Sequence, residues 1–229
     1  MSDFSFVFNV PPYRLSGRVC GALLNHAPQL AALGEAMSQP PYRGAPNAPV
    51  LAIKPRNTLA ADGAAIRVPA GVAALEMGAS LGIVIGRTAC RVERASALAF
   101  VAGYIIVNDV GVPLASHYRP AVRFKARDGF CPIGPRVVPA TDVPAPDALT
   151  VCVQVDGAVL HESSTGHRVR GVAQLIADVS EFMTLQPGDV LMLGVAAGAP
   201  LARAGQQVAI TIDGLGTLSN RLVAEGEGA

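Results

Sequence analysis

The hydrophobic positions of this chain fall in short apolar runs that are rich in β-branched residues and separated by Gly and Pro. Runs bounded by turn residues in this way are typical of β-strands rather than of long helices. Asp156-Gly157 lies between two such runs and predicts a hairpin with a type I′ turn. The runs predicted as strands cover residues 17–24, 50–54, 72–87, 104–107, 150–155, 158–163, 190–193, 207–212 and 218–223.

Three segments instead predict short helices. Pro28 fits the first turn of a helix, where its missing N–H is not needed, and this helix is predicted to run to about Met37. Residues 93–102 and 172–182 also have helical patterns. No internal repeat or obvious linker divides the chain. The predicted fold class is therefore α+β and mainly β, as a single domain over residues 1–229 on which residues 1–45 pack.

Composition narrows the classes of function. Hydrophobic residues make up 51% of the chain and charged residues 15%, and 18 basic against 17 acidic residues give a net charge of +1. This balance predicts no nucleic acid and no anionic membrane as partner. The apolar runs are too short to span a membrane and the N-terminus lacks a signal-peptide pattern, so a cytoplasmic protein is expected. The four cysteines form no C-x-x-C pair, which argues against a structural zinc site.

Polar residues are concentrated after the run at 104–107. Between Asn108 and Asp128 the chain has one His, three Arg, one Lys, one Tyr and two Asp. A buried strand that leads into a polar loop is a common place for binding and catalytic residues. Lys54 and Arg56 follow another predicted strand, which would hold their cations at a rigid edge. Because Arg and Lys bind carboxylates, such a cluster of cations would suit a small polycarboxylate substrate.

Three other patterns are less informative. Residues 78–82 match the G-x-S-x-G motif of a nucleophile elbow, but the chain continues as a strand beyond them, so Ser80 is not predicted to be a nucleophile. The four histidines lack the spacing of metal ligands and are interpreted as surface or packing residues. Residues 194–205 lack the glycine motifs of phosphate-binding loops and are predicted to be a plain mobile loop.

The chain also resembles the fumarylacetoacetate hydrolase (FAH) superfamily over nearly its whole length. The resemblance lies in the segments GRVCGALLNH, FVAGYIIVNDV, YRPAVRFKARDGFCPIGP, EFMTLQPGDVLMLG and GLGTLSNRLV. Within the superfamily, KPRNTL and RDGFCPIGP look most like the N-terminal half of the bifunctional isomerase/decarboxylases of 4-hydroxyphenylacetate (homoprotocatechuate) degradation. That branch occurs fused or as two separate subunits, and this chain looks like the separate N-terminal subunit.

The resemblance implies an FAH-type β-sandwich roll with a few short helices and an active site at one mouth. It also implies Mg²⁺ or Mn²⁺ held by a Glu-x-Glu pair on one strand and an Asp after another, because these hard cations prefer carboxylate oxygens. The implied substrates are small 2-oxo or 2-hydroxy dienoic di- and tricarboxylates, whose enolate the metal would stabilise. A homodimer, or a heteromer with a second subunit of the family, is expected.

The chain departs from this pattern at the metal and at the base. Gly78 and Ser80 occupy the positions of the two glutamates, and only the third metal ligand is present, as Asp109. The His/Glu dyad that activates water in the family falls on Gln29 and Ala32. Mg²⁺ or Mn²⁺ is thus implied by the resemblance, and a chain that binds no metal is the alternative.

Other family positions are retained. Lys125 is the lysine expected after the Asp-containing loop, and Tyr118 and Arg119 precede it. Glu76 would lie on the same strand face as residues 78 and 80 and could replace one metal ligand. An ordinary strand-end residue is the favoured interpretation of Glu76.

Three functions are consistent with these observations. The first is a subunit that decarboxylates 5-oxopent-3-ene-1,2,5-tricarboxylate or isomerises 2-hydroxyhepta-2,4-diene-1,7-dioate, with Lys125 and Asp109 as catalytic residues. The residues expected to bind substrate carboxylates are Lys54, Arg56, Tyr118 and Arg119. The second is a catalytically degenerate structural partner of a metal-bearing subunit, which the missing glutamates favour. The third, hydrolysis of a C–C bond, is disfavoured because both the metal pair and the base are missing.

Overall fold

The computed structural model describes residues 8–10, 13–15, 18–114 and 121–226 of the chain. Strands dominate these residues, and the helices among them are short. In chain order the strands are β1 Phe8–Val10, β2 Tyr13–Leu15, β3 Val19–Leu23, β4 Val50–Lys54, β5 Leu59–Ala60, β6 Ala65–Val68, β7 Leu75–Glu76, β8 Ala79–Ile85, β9 Val101–Asn108, β10 Cys131–Pro139, β11 Thr150–Val155, β12 Ala158–Ser164, β13 Val190–Met192, β14 Leu201–Ala202, β15 Gln207–Ile212 and β16 Gly216–Ala224. The α-helices are α1 Ala27–Leu33, α2 Val122–Lys125 and α3 Val172–Phe182, and the 3₁₀ segments are Gly34–Ser38, Arg56–Thr58, Arg94–Phe100, Ala140–Asp142 and Pro146–Ala148.

The larger sheet has seven strands in the order β4-β3-β13-β8-β9-β10-β5. Its two edge strands follow one another in sequence, because β4 ends at Lys54 and β5 begins at Leu59. That connection can span at most about 18 Å, whereas the edges of a flat sheet of this size would lie about 29 Å apart. The sheet is therefore curled into a roll, which brings the end of β4 towards β5 and β10.

The second sheet has five strands in the order β12-β11-β15-β16-β6. Its first hairpin turns at Asp156 and Gly157, whose φ angles of 50° and 82° confirm the turn conformation predicted from the Asp-Gly pair. The main apolar cluster fills the space between the two sheets and helix α3. Representative buried members are Leu81, Tyr104, Val153, Leu175 and Ile210.

A second apolar cluster lies on the opposite face of the seven-stranded sheet, inside the roll. Its buried members include Val19, Val107, Cys131 and Ile133, and Leu15 of β2 packs there as well. Because strand β8 lies between the two clusters, all seven of its residues are buried, as expected for a strand covered on both faces. The open end of this second cluster is where charged side chains collect.

The observed architecture confirms the predicted fold class, a mainly β sandwich roll with a few short helices. Strand β4 and helix α3 match their predicted bounds, and most other predicted strands agree to within two residues. In the described part of the chain, no helix has the length and apolar content that a membrane crossing requires. The main cluster includes residues from β3 to β16, which supports a single domain, although that assignment stays a prediction.

Three elements differ from the sequence prediction. The run 72–87 contains two strands, β7 and β8, because the strand conformation is interrupted at Met77 and Gly78. Residues 94–100 form a 3₁₀ segment rather than an α-helix, and the first helix changes to 3₁₀ at Gly34. Strand β10 was not predicted because Pro132, Pro135 and Pro139 lie in it, and proline disfavours a strand assignment.

Candidate active site

The candidate site is built on Asp109, the residue that follows strand β9. Strands β8 and β9 pair with Ala79 opposite Asn108, and the next amide, that of Asp109, donates to the carbonyl oxygen of Gly78 at 2.8 Å. This pairing fixes the Asp109 backbone beside the start of β8. The residue is only 3% exposed, so its carboxylate needs compensating partners.

Lys54, the last residue of β4, provides the first partner. Its Nζ lies 2.7 Å from Oδ1 of Asp109, and its side chain is fully buried. The same ammonium donates to the carbonyl oxygens of Val110 at 3.2 Å and of Lys125 at 2.8 Å. The Lys54 ammonium thus makes one ion pair and two hydrogen bonds inside the protein.

Lys125, the last residue of α2, provides the second partner. Its Nζ lies 3.3 Å from Oδ2 of Asp109 and 3.9 Å from Oε1 of Glu76. The Lys125 side chain is 15% exposed and that of Glu76 is 32% exposed, so this end of the cluster reaches solvent. A Cβ at Gly111 would come within 2.7 Å of the Lys125 side chain, and only glycine leaves room for the lysine to lie across the strand exit.

The whole chain contains two lysines, Lys54 and Lys125, against sixteen arginines. Both lysines contact the same carboxylate. Burial alone would raise the pKa of Asp109, but the two ammonium groups outweigh burial and hold this pKa below its ordinary value. Asp109 is therefore a fixed anion that orients two cations.

The turn after β4 holds the loop that carries Lys125. The Asn57 side chain donates to the carbonyl oxygen of Ala126 at 3.2 Å and to the Asp128 carboxylate at 2.7 Å. The Gly129 amide donates in return to the Asn57 carbonyl oxygen at 3.0 Å. No sequence pattern selects Asn57, because only the fold brings residues 57 and 126–129 together.

The donor set around Asp109 does not fit Mg²⁺ or Mn²⁺. Gly78 offers no ligand, and Ser80 is fully buried, with its Oγ accepting from the Gly194 amide at 3.1 Å. Glu76 contacts the Lys125 ammonium, which lies between the two carboxylates. In the described ranges, no group of three or more His, Cys, Asp and Glu side chains is arranged to hold a metal. These cations require several oxygen ligands, and here one buried carboxylate is already neutralised by two lysines.

The remaining predicted site residues are less tightly placed. Arg56 is exposed in the 3₁₀ turn Arg56–Thr58, next to the Asn57 contacts. Tyr118 and Arg119 lie outside the described residues, so their substrate contacts stay predictions. A direct substrate contact by Lys54 also stays a prediction, and its full set of internal contacts favours an indirect role.

Comparison with known proteins is consistent with this architecture. Residues 18–223 match the model of the fumarylacetoacetate (FAA) hydrolase C-terminal family. A 4-hydroxyphenylacetate degradation bifunctional isomerase/decarboxylase from Salmonella dublin is 41% identical over 93% of this chain and 48% of its own length. This chain thus spans about half the length of that curated relative.

Solved structures show the same fold. A 2-hydroxyhepta-2,4-diene-1,7-dioate isomerase from Mycobacterium marinum aligns with a TM-score of 0.75 and 30% identity, over 92% of this chain and 76% of that one. A fumarylpyruvate hydrolase from Pseudomonas aeruginosa, in complex with Mn²⁺ and pyruvate, aligns with a TM-score of 0.80 over 96% of this chain and 97% of that one. Its identity of 24% supports the fold alone. By its sequence match and its architecture, this chain belongs to the fumarylacetoacetate hydrolase family.

Proposed function

We propose that this chain is an isomerase/decarboxylase subunit that acts on small 2-oxo or 2-hydroxy dienoic di- and tricarboxylates in 4-hydroxyphenylacetate catabolism. The observation that carries the proposal is the position of Lys125, an ammonium held between Asp109 and Glu76 and partly open to solvent. The activities named for the Salmonella dublin relative and the Mycobacterium marinum structure support this reaction class. A homodimer, or a heteromer with a second family member, is part of the proposal.

Lys125 supplies the positive charge that these reactions need. In the decarboxylation, the bond to the departing carboxylate breaks, CO₂ leaves, and the electron pair moves onto the conjugated carbonyl oxygen as an enolate. An ammonium within hydrogen-bond reach of that oxygen stabilises the developing charge and can then donate a proton to carbon. The isomerisation uses the same dienolate, with one proton removed from one carbon and one returned to another.

The neighbours of Lys125 have distinct roles in this proposal. Asp109 is a positioning residue, because its Oδ2 lies 3.3 Å from the Nζ of Lys125 and orients that ammonium. Lys54 holds Asp109 as an anion and also binds the backbone carbonyl oxygen of Lys125. Glu76 has the more exposed of the two carboxylates in this cluster and is the candidate for proton removal in the isomerisation. Arg56, two residues after Lys54 in the chain, is a candidate carboxylate ligand.

The second candidate function is a catalytically silent partner of a metal-bearing family member. It is favoured by the metal ligands missing at Gly78 and Ser80. A hydrolase is less well supported, since Gln29 and the exposed Ala32 stand where the family has its water-activating dyad.

The test is an assay of the purified chain for CO₂ release from 5-oxopent-3-ene-1,2,5-tricarboxylate and for isomerisation of 2-hydroxyhepta-2,4-diene-1,7-dioate. Each assay is run with Mg²⁺ and after chelation. Lys125→Met is compared with Arg94→Gln, which removes an exposed cation on a separate 3₁₀ segment. We expect Lys125→Met to lower the rate about 10²- to 10⁴-fold and Arg94→Gln to leave it unchanged.

The two candidate functions give different results. Activity of the isolated chain that depends on Lys125 supports the enzyme. Activity that needs an added metal-bearing family member and is unchanged by Lys125→Met supports the silent partner instead.

A further inference from the structure

Arg168 has buried donors that no described residue satisfies. Its Nε and Nη1 are removed from solvent and have no hydrogen-bond partner, and no described carboxylate forms an ion pair with it. Burial lowers the pKa of this guanidinium to about 10. Arg170, two residues later, is instead paired with a carboxylate, because its Nε lies 2.7 Å from Oδ2 of Asp178. Two buried N–H groups of a guanidinium without a partner are costly, so the site around Arg168 is suited to an anionic ligand.

The residues around Arg168 add further donors. His26 and Arg168 are partners in an antiparallel β-bridge, which places their side chains next to each other on one face. Nδ1 of His26 accepts from the Ala197 amide at 3.2 Å, so in the neutral ring the proton is on Nε2 and can be donated. His161 contacts the carbonyl oxygen of Ala197 at 2.8 Å. Arg168, His26 and His161 thus form a cluster, called here the Arg168 cluster, with donors and no described carboxylate.

The loop after β13 connects the Arg168 cluster to the candidate active site. Near its start, Val195 Cγ2 lies 2.9 Å from the position that a Cβ at Gly78 would take, and the carbonyl oxygen of Asp109 lies 2.5 Å from the same position. Ala197, two residues further along, holds His26 and His161. Two residues span at most about 7 Å. The loop after β13 therefore contacts the start of β8 beside Asp109 at one point and the two histidines of the Arg168 cluster two residues later.

We propose that Arg168, assisted by His26, binds the carboxylate of the substrate that is distal to the reacting carbons. The proposal rests on the proposed function for its choice of ligand, a dicarboxylate with one end near Lys125. Arg168 is then a specificity-determining residue rather than a catalytic one. It selects substrates with a second carboxylate, because a guanidinium forms strong charge-assisted hydrogen bonds with that group.

The experiment measures binding of two unreactive probes, heptanedioate and heptanoate, to the full chain by calorimetry. The variant is Arg168→Gln, and the matched control is Arg67→Gln, an exposed arginine on β6, which lies at the opposite edge of the five-stranded sheet from β12. We expect Arg168→Gln to weaken heptanedioate binding about tenfold or more and to leave heptanoate binding unchanged, while Arg67→Gln changes neither. Where turnover is measurable, the KM of the dicarboxylate substrate should rise with little change in kcat.

A structural role for Arg168 gives a different pattern. Removing an unpaired buried charge should keep or raise the melting temperature, so a lower melting temperature with unchanged preference for heptanedioate overturns the proposal. The binding assay also separates the two proposals. If the parent chain shows no turnover but Arg168→Gln selectively loses heptanedioate binding, the Arg168 site is supported and the proposed function is overturned. If the chain turns over substrate and Arg168→Gln leaves the preference for the dicarboxylate unchanged, the proposed function is kept and the Arg168 site is overturned.

Discussion

The ammonium of Lys54 lies 2.7 Å from Oδ1 of Asp109, with 0% and 4% of the two side chains exposed. This ion pair joins the end of an edge strand to the end of the interior strand β9 and helps to close the roll at the mouth of its interior cluster. A pair buried to this degree costs desolvation on both sides, and the loss of either partner leaves an uncompensated charge.

We therefore expect Lys54→Met to lower the free energy of unfolding by about 3–5 kcal/mol. The measurement is urea denaturation at neutral pH, with Asp109→Asn and the double variant completing the cycle. The double variant should be more stable than the sum of the two single losses implies, because it leaves neither of the paired charges unmatched. Additive losses would show that the two side chains do not interact energetically.

The two lysines should differ in chemical reactivity. Lys125 is 15% exposed whereas Lys54 is fully buried, so reductive methylation of the native protein should modify Lys125 and spare Lys54. Peptide mass spectrometry after denaturation separates the two sites, and the unfolded chain, in which both should react, is the control. Equal modification of Lys54 in the native state would contradict its burial.

Gly78 should not tolerate even one added methyl group. In Gly78→Ala the Cβ would lie 2.5 Å from the Asp109 carbonyl oxygen and 2.9 Å from Val195 Cγ2. We expect a loss of about 1–3 kcal/mol in the free energy of unfolding, measured by urea denaturation. Val195→Ala removes one of the two close contacts. Gly78→Ala should therefore cost less stability when it is introduced into the Val195→Ala variant than when it is introduced into the parent. Full recovery would show that the backbone contact with Asp109 is not limiting.

Divalent metal should not stabilise this chain. A ligand that binds only the native state raises the melting temperature, and with Asp109 paired to lysines the described residues contain no carboxylate set for Mg²⁺ or Mn²⁺. We expect equal melting temperatures in millimolar metal and in chelator. The Pseudomonas aeruginosa fumarylpyruvate hydrolase, described in complex with Mn²⁺, is the positive control. A saturable rise in melting temperature that Asp109→Asn removes would overturn the prediction.

Stability should fall in mildly acidic solution because of His26. Burial lowers the pKa of His26 from 6.5, and Arg168, His167 and His161 lower it further. The unfolded chain then takes up a proton near pH 6.5 that the folded chain takes up only at lower pH. The free energy of unfolding therefore decreases as the pH falls below about 6.5. Urea midpoints measured from about pH 7.5 to about pH 5.5 should show this slope in the parent and a smaller one in His26→Gln. The control is His167→Gln at an exposed histidine, which should keep most of the parent's dependence of unfolding free energy on pH. An unchanged pH dependence in His26→Gln would contradict the assignment of this effect to His26.

Sequence patterns predicted the strands because alternating or β-branched apolar runs bounded by turns report local burial. The break at Met77-Gly78 was missed because it depends on the close approach of Asp109, a contact that local patterns do not contain. Asp109 and Lys125 were found through their family positions. The Lys54–Asp109 pair was not found, because it depends on the curl of the seven-stranded sheet. Arg168 carries no motif, and what distinguishes it is that its Nε and Nη1 are buried without a partner among the described residues.

The tight packing at Gly78 also limits the conversion of this site into a metal site. A glutamate introduced at position 78 would first meet the Asp109 carbonyl oxygen and Val195, and its carboxylate would then face an aspartate already paired with two lysines. A single Gly78→Glu substitution therefore lowers stability before it can provide a metal ligand. The close approach of two backbones at this point makes the lysine-paired arrangement hard to convert, one residue at a time, into a set of carboxylates that binds a metal.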